Sequence, residues 1–378
     1  LLPNITEDYL RFDEPKLILR AYRLRTMEPK KLSTVTKKAL YLLTLAFLFS
    51  SALSTSQTIS INRVGEGPII SPELDSSIGN NIQGPSVIRV PDWVENPLGN
   101  YYLYFADHKG SYIRLAYANQ IEGPWRIHKP GALRIEDSFF LTKPPPVSEE
   151  QAKQIRDYAK RNKIKFAHDI VKEVTAPHIA SPDVLVDEEN KRIVMFFHGL
   201  EDVGVQVTRA AISKDGINFI TKAEKLGRTY WRSFKWGNRF YALAMPGQFY
   251  RSESLLSGYE EGPLLFNPDM RHNAVMLRGD QLFVFWTQVG EIPESVKLST
   301  INLSENWEDW LQIDQGVILK PERDYEGADE PLIPSIRSTA YGKVNQLRDP
   351  AILKDEGNIW LFYAVAGESA IGLATVNF

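Results

Sequence analysis

Two aspartates of this chain stand next to prolines where extended apolar segments begin. Asp183 follows Pro182, and Asp349 precedes Pro350. Two carboxyl groups in one pocket can act as an acid and base pair, since one can keep its proton while the other stays charged. We therefore take Asp183 and Asp349 as candidate catalytic residues, with Glu330 as an alternative acid. Each aspartate also has a plainer interpretation, a turn-capping residue beside a proline.

Neighbouring residues decide which carboxyl should keep its charge. We expect Asp349 to be the charged member, because the adjacent Arg348 would stabilise its carboxylate, and Asp183 or Glu330 to be the proton donor. Further side chains that can bind a polar ligand stand at or near the starts and ends of the predicted strands. These candidates for substrate binding are Asp107, His108, His178, Trp231, Arg232, Arg271, His272 and Arg348. The sequence contains no cysteine, so a thiolate metal site is excluded, and we predict neither a metal-ligating residue nor a required cofactor.

One pattern recurs from Gly84 onward and indicates which elements position these residues. An extended apolar segment is followed by a polar turn, an aromatic-rich strand, a small-residue turn and another alternating strand. The five units begin with the segments 85–90, 182–186, 231–236, 274–277 and 349–353. Repetition on this scale is typical of stacked structural units.

The repeat predicts an all-β fold, a five-bladed β-propeller with four-stranded antiparallel blades and one helical insertion. Radial packing buries both apolar faces of each sheet, whereas a β-sandwich, the rival architecture, does not need units in this order. We expect residues 58–64 to supply the outer strand of the last blade and close the ring. Because inner strands converge on the axis of a propeller, Asp183, His272, Arg348 and Asp349 are predicted to line one polar pocket.

Two segments interrupt the repeat and are longer than ordinary connections. The first, 137–177, contains a charged stretch at 148–163 with the composition of a helix and with Ser148 as its capping residue. The second, 321–347, is rich in acidic residues. We expect it either to be a solvated loop or to fold over the mouth of the channel.

Composition and the N-terminal segment bear on partners and location. A formal net charge of -3 provides no basic excess for phosphates, so no nucleic-acid partner is expected. Lysines after Met27 precede an apolar run from Ala39 to Phe49 and small residues up to Ser54, the order of a secretory signal peptide. We predict an upstream extension at 1–26, a signal peptide at 27–54 and the propeller at 55–378. The mature protein would be periplasmic or secreted, without stable membrane insertion.

Several motifs resemble those of glycoside hydrolase family 43 and related arabinanase, levansucrase and invertase propellers. They are the strand start Asp349-Pro350-Ala351-Ile352, the second strand Tyr102-Leu103-Tyr104-Phe105 and the turn Glu122-Gly123-Pro124-Trp125. The resemblance covers residues 58–378. It implies a polysaccharide-active enzyme with an inverting two-carboxyl mechanism and, in some members, a cation such as calcium in the channel.

The sequence departs from that family at two places. The family's base is an aspartate that opens the Asp-Pro of the first blade, where this chain has Gly84. Either the base comes from elsewhere, such as Asp349, or the chemistry differs. The Glu-Gly-Pro around Glu261 matches the family's acid motif, but a second copy at Glu122 indicates a blade turn, so we do not choose Glu261 as the acid.

Three functions remain open, all with a carbohydrate partner. The first is hydrolysis of a glycosidic bond by Asp183 and Asp349. The second is a carbohydrate-binding propeller without catalysis, which the missing aspartate of the first blade favours. The third is a polysaccharide lyase, in which Arg232, Arg271 and Arg348 would neutralise a uronate.

Overall fold

The protein is described by a computed structural model that covers residues 59–378. The predicted extension at 1–26 and the signal peptide at 27–54 lie outside the described residues and stay predictions. Within 59–378, no helix is long and apolar enough to cross a membrane.

The described chain forms five antiparallel sheets of four strands each, which confirms the predicted five-bladed propeller. The first blade contains β2 (Gln83–Arg89), β3 (Tyr101–Ala106), β4 (Tyr112–Ala118) and β5 (Arg126–Arg134). The second contains β6 (Ile179–Asp187), β7 (Arg192–Asp202), β8 (Val205–Ser213) and β9 (Ile220–Thr221). The third contains β10 (Arg232–Trp236), β11 (Arg239–Ala244), β12 (Gln248–Ser252) and β13 (Glu260–Leu264). The fourth contains β14 (Met270–Arg278), β15 (Gln281–Gln288), β16 (Val296–Asn302) and β17 (Ile313–Leu319).

The fifth blade joins the two ends of the described chain. It consists of β18 (Arg348–Asp355), β19 (Asn358–Val365), β20 (Ala370–Asn377) and β1 (Ser60–Arg63), in that order from the axis outward. Strand β1 pairs antiparallel with β20, with Ser60 opposite Asn377 and Arg63 opposite Ala374. The prediction that the segment around 58–64 closes the ring is therefore confirmed for Ser60–Arg63.

Apolar faces between neighbouring blades hold the ring together. All six residues of β3 are buried, because one face of this strand packs toward the second blade and the other toward the fifth. Separate clusters of buried side chains fill the spaces between the second and third blades and between the third and fourth. Burial on both faces requires the apolar, aromatic-rich composition of the second strands.

A side-chain contact reinforces the closure of the ring. Arg63 of β1 donates to both carboxylate oxygens of Glu326, at 2.8 and 2.9 Å, and Glu326 is fully buried. Tyr363 of β19 donates to the same carboxylate at 2.9 Å. The outer strand is thus tied to the loop that precedes the innermost strand of the same blade.

We expect Arg63→Ala to destabilise the protein by about 3 kcal/mol, because it leaves the buried Glu326 without its cation. Urea unfolding at neutral pH would measure this loss. Arg89→Ala is the matched control, since Arg89 is half exposed in its pair with Asp355 and should contribute less than about 1 kcal/mol. Equal losses for the two variants would contradict this account of the closure.

The first insertion is helical, as predicted, but it contains two helices. Helix α1 (Glu149–Arg161) begins at Ser148, whose side chain accepts from Gln151 N while the Gln151 side chain accepts from Ser148 N. This reciprocal capping explains where the helix starts. Helix α2 (Ile170–Thr175) packs on α1 through Ile155, Ala159, Ile170 and Val174.

Candidate active site

The innermost strands begin with a shared backbone irregularity at one end of the axis. Gly84, Ser181, Tyr230 and Asp349 all have positive φ angles, of 62°, 49°, 57° and 45°. In three of these blades the pairing of the first two strands shifts register at this point. Non-glycine residues with positive φ are costly and concentrate at functional sites. This end of the axis is therefore the first place to seek chemistry.

The same irregularity shows that Asp183 and Asp349 do not occupy equivalent positions. Ser181-Pro182 aligns with Asp349-Pro350, so Asp349 corresponds to Ser181, and Asp183 corresponds to Ala351, two residues further along its strand. Asp183 and Ala351 both line a cavity of about 340 Å³ along the inner strands, and Asp349, His272 and Arg348 do not. The prediction that Asp183 shares a pocket with these three residues stays a prediction, because the lining of this one cavity does not test it.

Asp183 instead has a structural partner inside the channel. Its Oδ2 accepts a hydrogen bond from Ser233 N at 2.8 Å. Burial raises the pKa of Asp183, while Arg232 and the Ser233 amide oppose that rise. The side chain thus joins the innermost strands of the second and third blades.

Asp349 and His272 form a buried pair at the axis. Each is 1% exposed, and His272 Nε2 lies 3.4 Å from Asp349 Oδ1. His272 Nδ1 accepts from the Asp349 backbone amide at 3.3 Å and contacts Thr287 Oγ1 at 3.2 Å. Because Nδ1 accepts, the ring proton belongs on Nε2, facing the carboxyl group. Neither carboxyl oxygen of Asp349 has a hydrogen-bond partner among residues 59–378, and nor does His272 Nε2.

Other buried polar groups extend from this pair around the axis. The rings of His198, Tyr230 and His272 follow one another with centroids 4.9 and 4.8 Å apart. His198 Nδ1 has no hydrogen-bond partner among residues 59–378. Gln83, which accepts from Ser181 Oγ at 3.4 Å, has an unpartnered Nε2 in the same described range. We call Gln83, His198, Tyr230, His272 and Asp349 the axial group.

Arg348 does not hold the charge of Asp349, contrary to expectation. Its guanidinium donates to Glu368 Oε1 at 2.6 Å and to Gln346 Oε1 at 2.5 Å. Glu368 also accepts from Asn81 at 2.8 Å and lies 3.2 Å from His108 Nδ1. The arginine is thus neutralised by a different carboxylate, which the sequence reading did not identify.

The other two arginines at the axis are also occupied. Arg271 forms a two-point ion pair with the fully buried Glu294. Arg232 donates to the backbone carbonyls of Asn273, Pro182 and Trp231. Two of the three buried arginines are therefore balanced by carboxylates, Arg271 by Glu294 and Arg348 by Glu368, while Arg232 is held by backbone carbonyls.

These surroundings set the protonation states of the site. Burial, followed by the charge of Glu368, raises the pKa of Asp349 to about 7, against the opposing effect of Arg271, Arg348 and Arg232. Burial would also raise the pKa of Glu368, but His108, Arg348 and Asn81 together lower it well below its usual range. Burial holds the pKa of His272 well below 6.5, and nearby arginines add to this effect. At neutral pH the site thus combines one partly protonated carboxyl, one carboxylate and a neutral imidazole.

The remaining predicted residues have other environments. Trp231 packs on Tyr250 and Tyr259 in the core, and its role in substrate binding stays a prediction. Asp107 accepts from the Lys109 amide at 2.8 Å and ties a turn. Both His178 nitrogens have partners, Ala176 O and Gln206 Oε1.

Glu330 lies in the second insertion, where its backbone carbonyl accepts from Asn345. No hydrogen bond or ion pair within 59–378 joins its carboxylate to the axial group. Glu261 is exposed on the outer strand β13, in agreement with the choice to set it aside.

Sequence reasoning missed Glu294, Glu368 and His198. A usable signal was present: in an antiparallel blade the second strand runs toward the end where the first begins, and His198 lies in the second half of β7, Glu368 just after β19 and Glu294 between β15 and β16. As for metals, no group of three or more His, Asp or Glu side chains in residues 59–378 is arranged to hold an ion. A channel cation such as calcium stays a prediction.

Comparison with known proteins places this chain by fold and by family. Two structures of the GH43_1 enzyme from Xanthomonas citri, one of them complexed with xylose, superpose with TM-scores of 0.50. They are 10% and 11% identical to this chain, and each match covers 82% of it and 88% or 90% of the enzyme. At this identity the likeness establishes a shared fold, as the resemblance to family 43 propellers predicted.

No family model matches the chain. One relative is much closer in sequence, the uncharacterized protein R118 of Acanthamoeba polyphaga mimivirus. It is 32% identical over 320 residues, which cover 77% of this chain and 82% of the viral protein. The chain therefore belongs to the same protein family as that mimivirus protein.

Proposed function

We propose that this protein binds a neutral saccharide at the axial group and cleaves a glycosidic bond there, with Asp349 as the proton donor. The observation that carries the proposal is the pair of unpartnered, buried oxygens of Asp349 beside the unpartnered Nε2 of His272. Buried polar atoms are almost always hydrogen-bonded, so a group without partners indicates a ligand or water position.

The chemistry of the axial group fits hydroxyl groups. Asp349 offers acceptors, whereas Gln83 Nε2 and His272 Nε2 offer donors. A hydroxyl both donates and accepts, so a polyol can satisfy both kinds of atom at once. Arg271 and Arg348 are already paired with Glu294 and Glu368, whereas Arg232 donates to backbone carbonyls and has no carboxylate partner among residues 59–378. With two of the three guanidiniums neutralised, a neutral sugar suits the site better than a uronate.

Protonation states support a division of roles between two carboxyl groups. Asp349, with its pKa raised to about 7, donates its proton to the leaving glycosidic oxygen as the carbon–oxygen bond breaks. Water then attacks the anomeric carbon, and we assign its proton to Glu368, the carboxylate whose pKa is lowered. His272 is held beside Asp349 by the hydrogen bond from the Asp349 amide to Nδ1, which leaves Nε2 to donate to the saccharide. Glu368 thus takes the charged role that the sequence had suggested for Asp349, and Asp349 takes the proton-donor role that it had suggested for Asp183 or Glu330.

Carbohydrate binding without catalysis is the second candidate. One observation favours this candidate. Both oxygens of Glu368 already accept hydrogen bonds, so of the two proposed catalytic carboxyl groups only Asp349 has oxygens without partners among residues 59–378. A lyase has less support, because two of its three proposed arginines, Arg271 and Arg348, already neutralise Glu294 and Glu368.

We also propose that the protein is exported, because lysines precede an apolar run of residues within 27–54, as they do in a secretory signal peptide.

A panel of mono-, di- and trisaccharides of xylose, arabinose and galactose tests the proposal. Calorimetry measures binding, and assays for new reducing ends and for unsaturated uronate absorbance measure cleavage. Binding with release of reducing ends is the expected result. Binding without release would identify a carbohydrate-binding protein, and absence of binding across the panel would refute the proposed function.

A further inference from the structure

The two insertions contact each other near the axial group, and the carboxylate of Glu173 joins them. Glu173 of α2 accepts from Ser338 Oγ at 2.8 Å and from Tyr341 OH at 3.2 Å. Its Oε2 also lies 3.9 Å from Nζ of Lys109, the residue after His108. Glu173 is only 5% exposed. It therefore connects the first insertion to the second at the edge of the site.

The segment of the second insertion that Glu173 contacts also contacts Arg271 and Arg348, the arginines of the two buried ion pairs. Arg271 Nη1 donates to Ile336 O at 3.1 Å, and Arg348 Nη1 donates to Ser338 O at 3.3 Å. These contacts place residues 335–341 over the arginines that flank Asp349. With this segment in place, Asp349 and His272 are each 1% exposed. A saccharide cannot reach them unless part of this cover moves.

We infer that residues 335–341 are a lid over the axial group and that Glu173 is its latch. This inference rests on the proposed function in one respect, the identity of the ligand that the lid admits. Glu173, Arg271 and Arg348 each form charge-assisted hydrogen bonds with this segment, and of the three only Glu173 reaches it from the other insertion.

The packing of the lid agrees with a segment that opens. Tyr341 is 50% exposed, and the buried residues of the lid are Ser335, Ser338, Thr339 and Ala340, so the lid buries mainly polar side chains. Ser338 also has a φ of 72°, a strained value for a residue other than glycine. Segments with few buried apolar contacts open at low free energy, and polar contacts then control how often they do.

Hydrogen exchange of the full chain tests the latch without any ligand. In Glu173→Ala, amides of 335–341 are expected to exchange roughly tenfold faster or more, while amides of β19 keep the wild-type rate. Glu173→Gln retains an acceptor for Ser338 and should stay close to wild type. Lys172→Ala, an exposed neighbour on the same helix, is the matched control.

Association kinetics with the saccharides of the panel provide a second measurement. Glu173→Ala should bind and release a saccharide faster than wild type, because opening no longer limits access. Unchanged exchange at 335–341 in Glu173→Ala would overturn the inference, whatever the ligand. If Glu173→Ala fails to fold, Tyr341→Phe, which removes one of the two hydrogen bonds, should raise exchange at 335–341 by a smaller factor, and no increase would likewise overturn it. If exchange rises as expected but no saccharide binds, the lid stands and the proposed function fails.

Discussion

Replacing Asp349 by asparagine is expected to lower turnover by a factor of about 10² to 10⁴ on any saccharide that the wild type cleaves. Asparagine keeps the shape of the side chain but has no proton to give to the leaving oxygen. Steady-state rates at pH 6 would measure the loss, and calorimetry should show that the variant still binds the same saccharide. In the wild type, turnover should fall as the pH rises through about 7, because the acid is then deprotonated.

Asp183→Asn is the informative control for this experiment. Asp183 lines the channel cavity away from Asp349, and an asparagine there can still accept the hydrogen bond of the Ser233 amide. We expect this variant to keep most of its turnover. If Asp183→Asn lost as much activity as Asp349→Asn, or if Asp349→Asn retained full turnover, the assignment of the proton donor would be wrong.

The same substitution should increase stability above neutral pH. The pKa of Asp349 is about 7 in the folded protein and 3.8 for the ordinary group, so the folded state binds more protons than the unfolded state between these values. Unfolding free energy therefore decreases as the pH rises from about 4 to about 7, and the loss from this residue is of the order of 4 kcal/mol above pH 7. Asparagine removes that loss because it cannot ionise.

Urea unfolding of the wild type and of Asp349→Asn at pH 5, 6, 7 and 8 measures this difference. The stability of the variant relative to the wild type should rise from pH 5 to pH 7 and level off between pH 7 and pH 8. A difference that does not change with pH would show that Asp349 titrates normally in the folded protein. Higher stability together with lost turnover in Asp349→Asn is the result expected when a residue serves catalysis at a cost in stability.

Much of the architecture was predictable because it depends on patterns along the chain. Alternating apolar strands separated by turns indicate both the number of blades and the order of strands, since four blades are continuous stretches of sequence and the fifth takes only its outer strand from elsewhere. The capping box at Ser148 located the start of α1 for the same reason, as its two hydrogen bonds join residues three apart. Closure by Ser60–Arg63 followed from the strand missing in the last blade.

The chemistry of the site depends on contacts between distant residues, and these the sequence did not determine. Arg348 precedes Asp349 in the chain, yet its guanidinium pairs with Glu368, because the positive φ at Asp349 turns the two side chains to different partners. Asp183 and Asp349 both stand beside prolines, but on opposite sides of them, so only Asp349 belongs to the axial group. Burial and the charges brought close by folding then set which carboxyl keeps its proton, and both are properties of the tertiary structure.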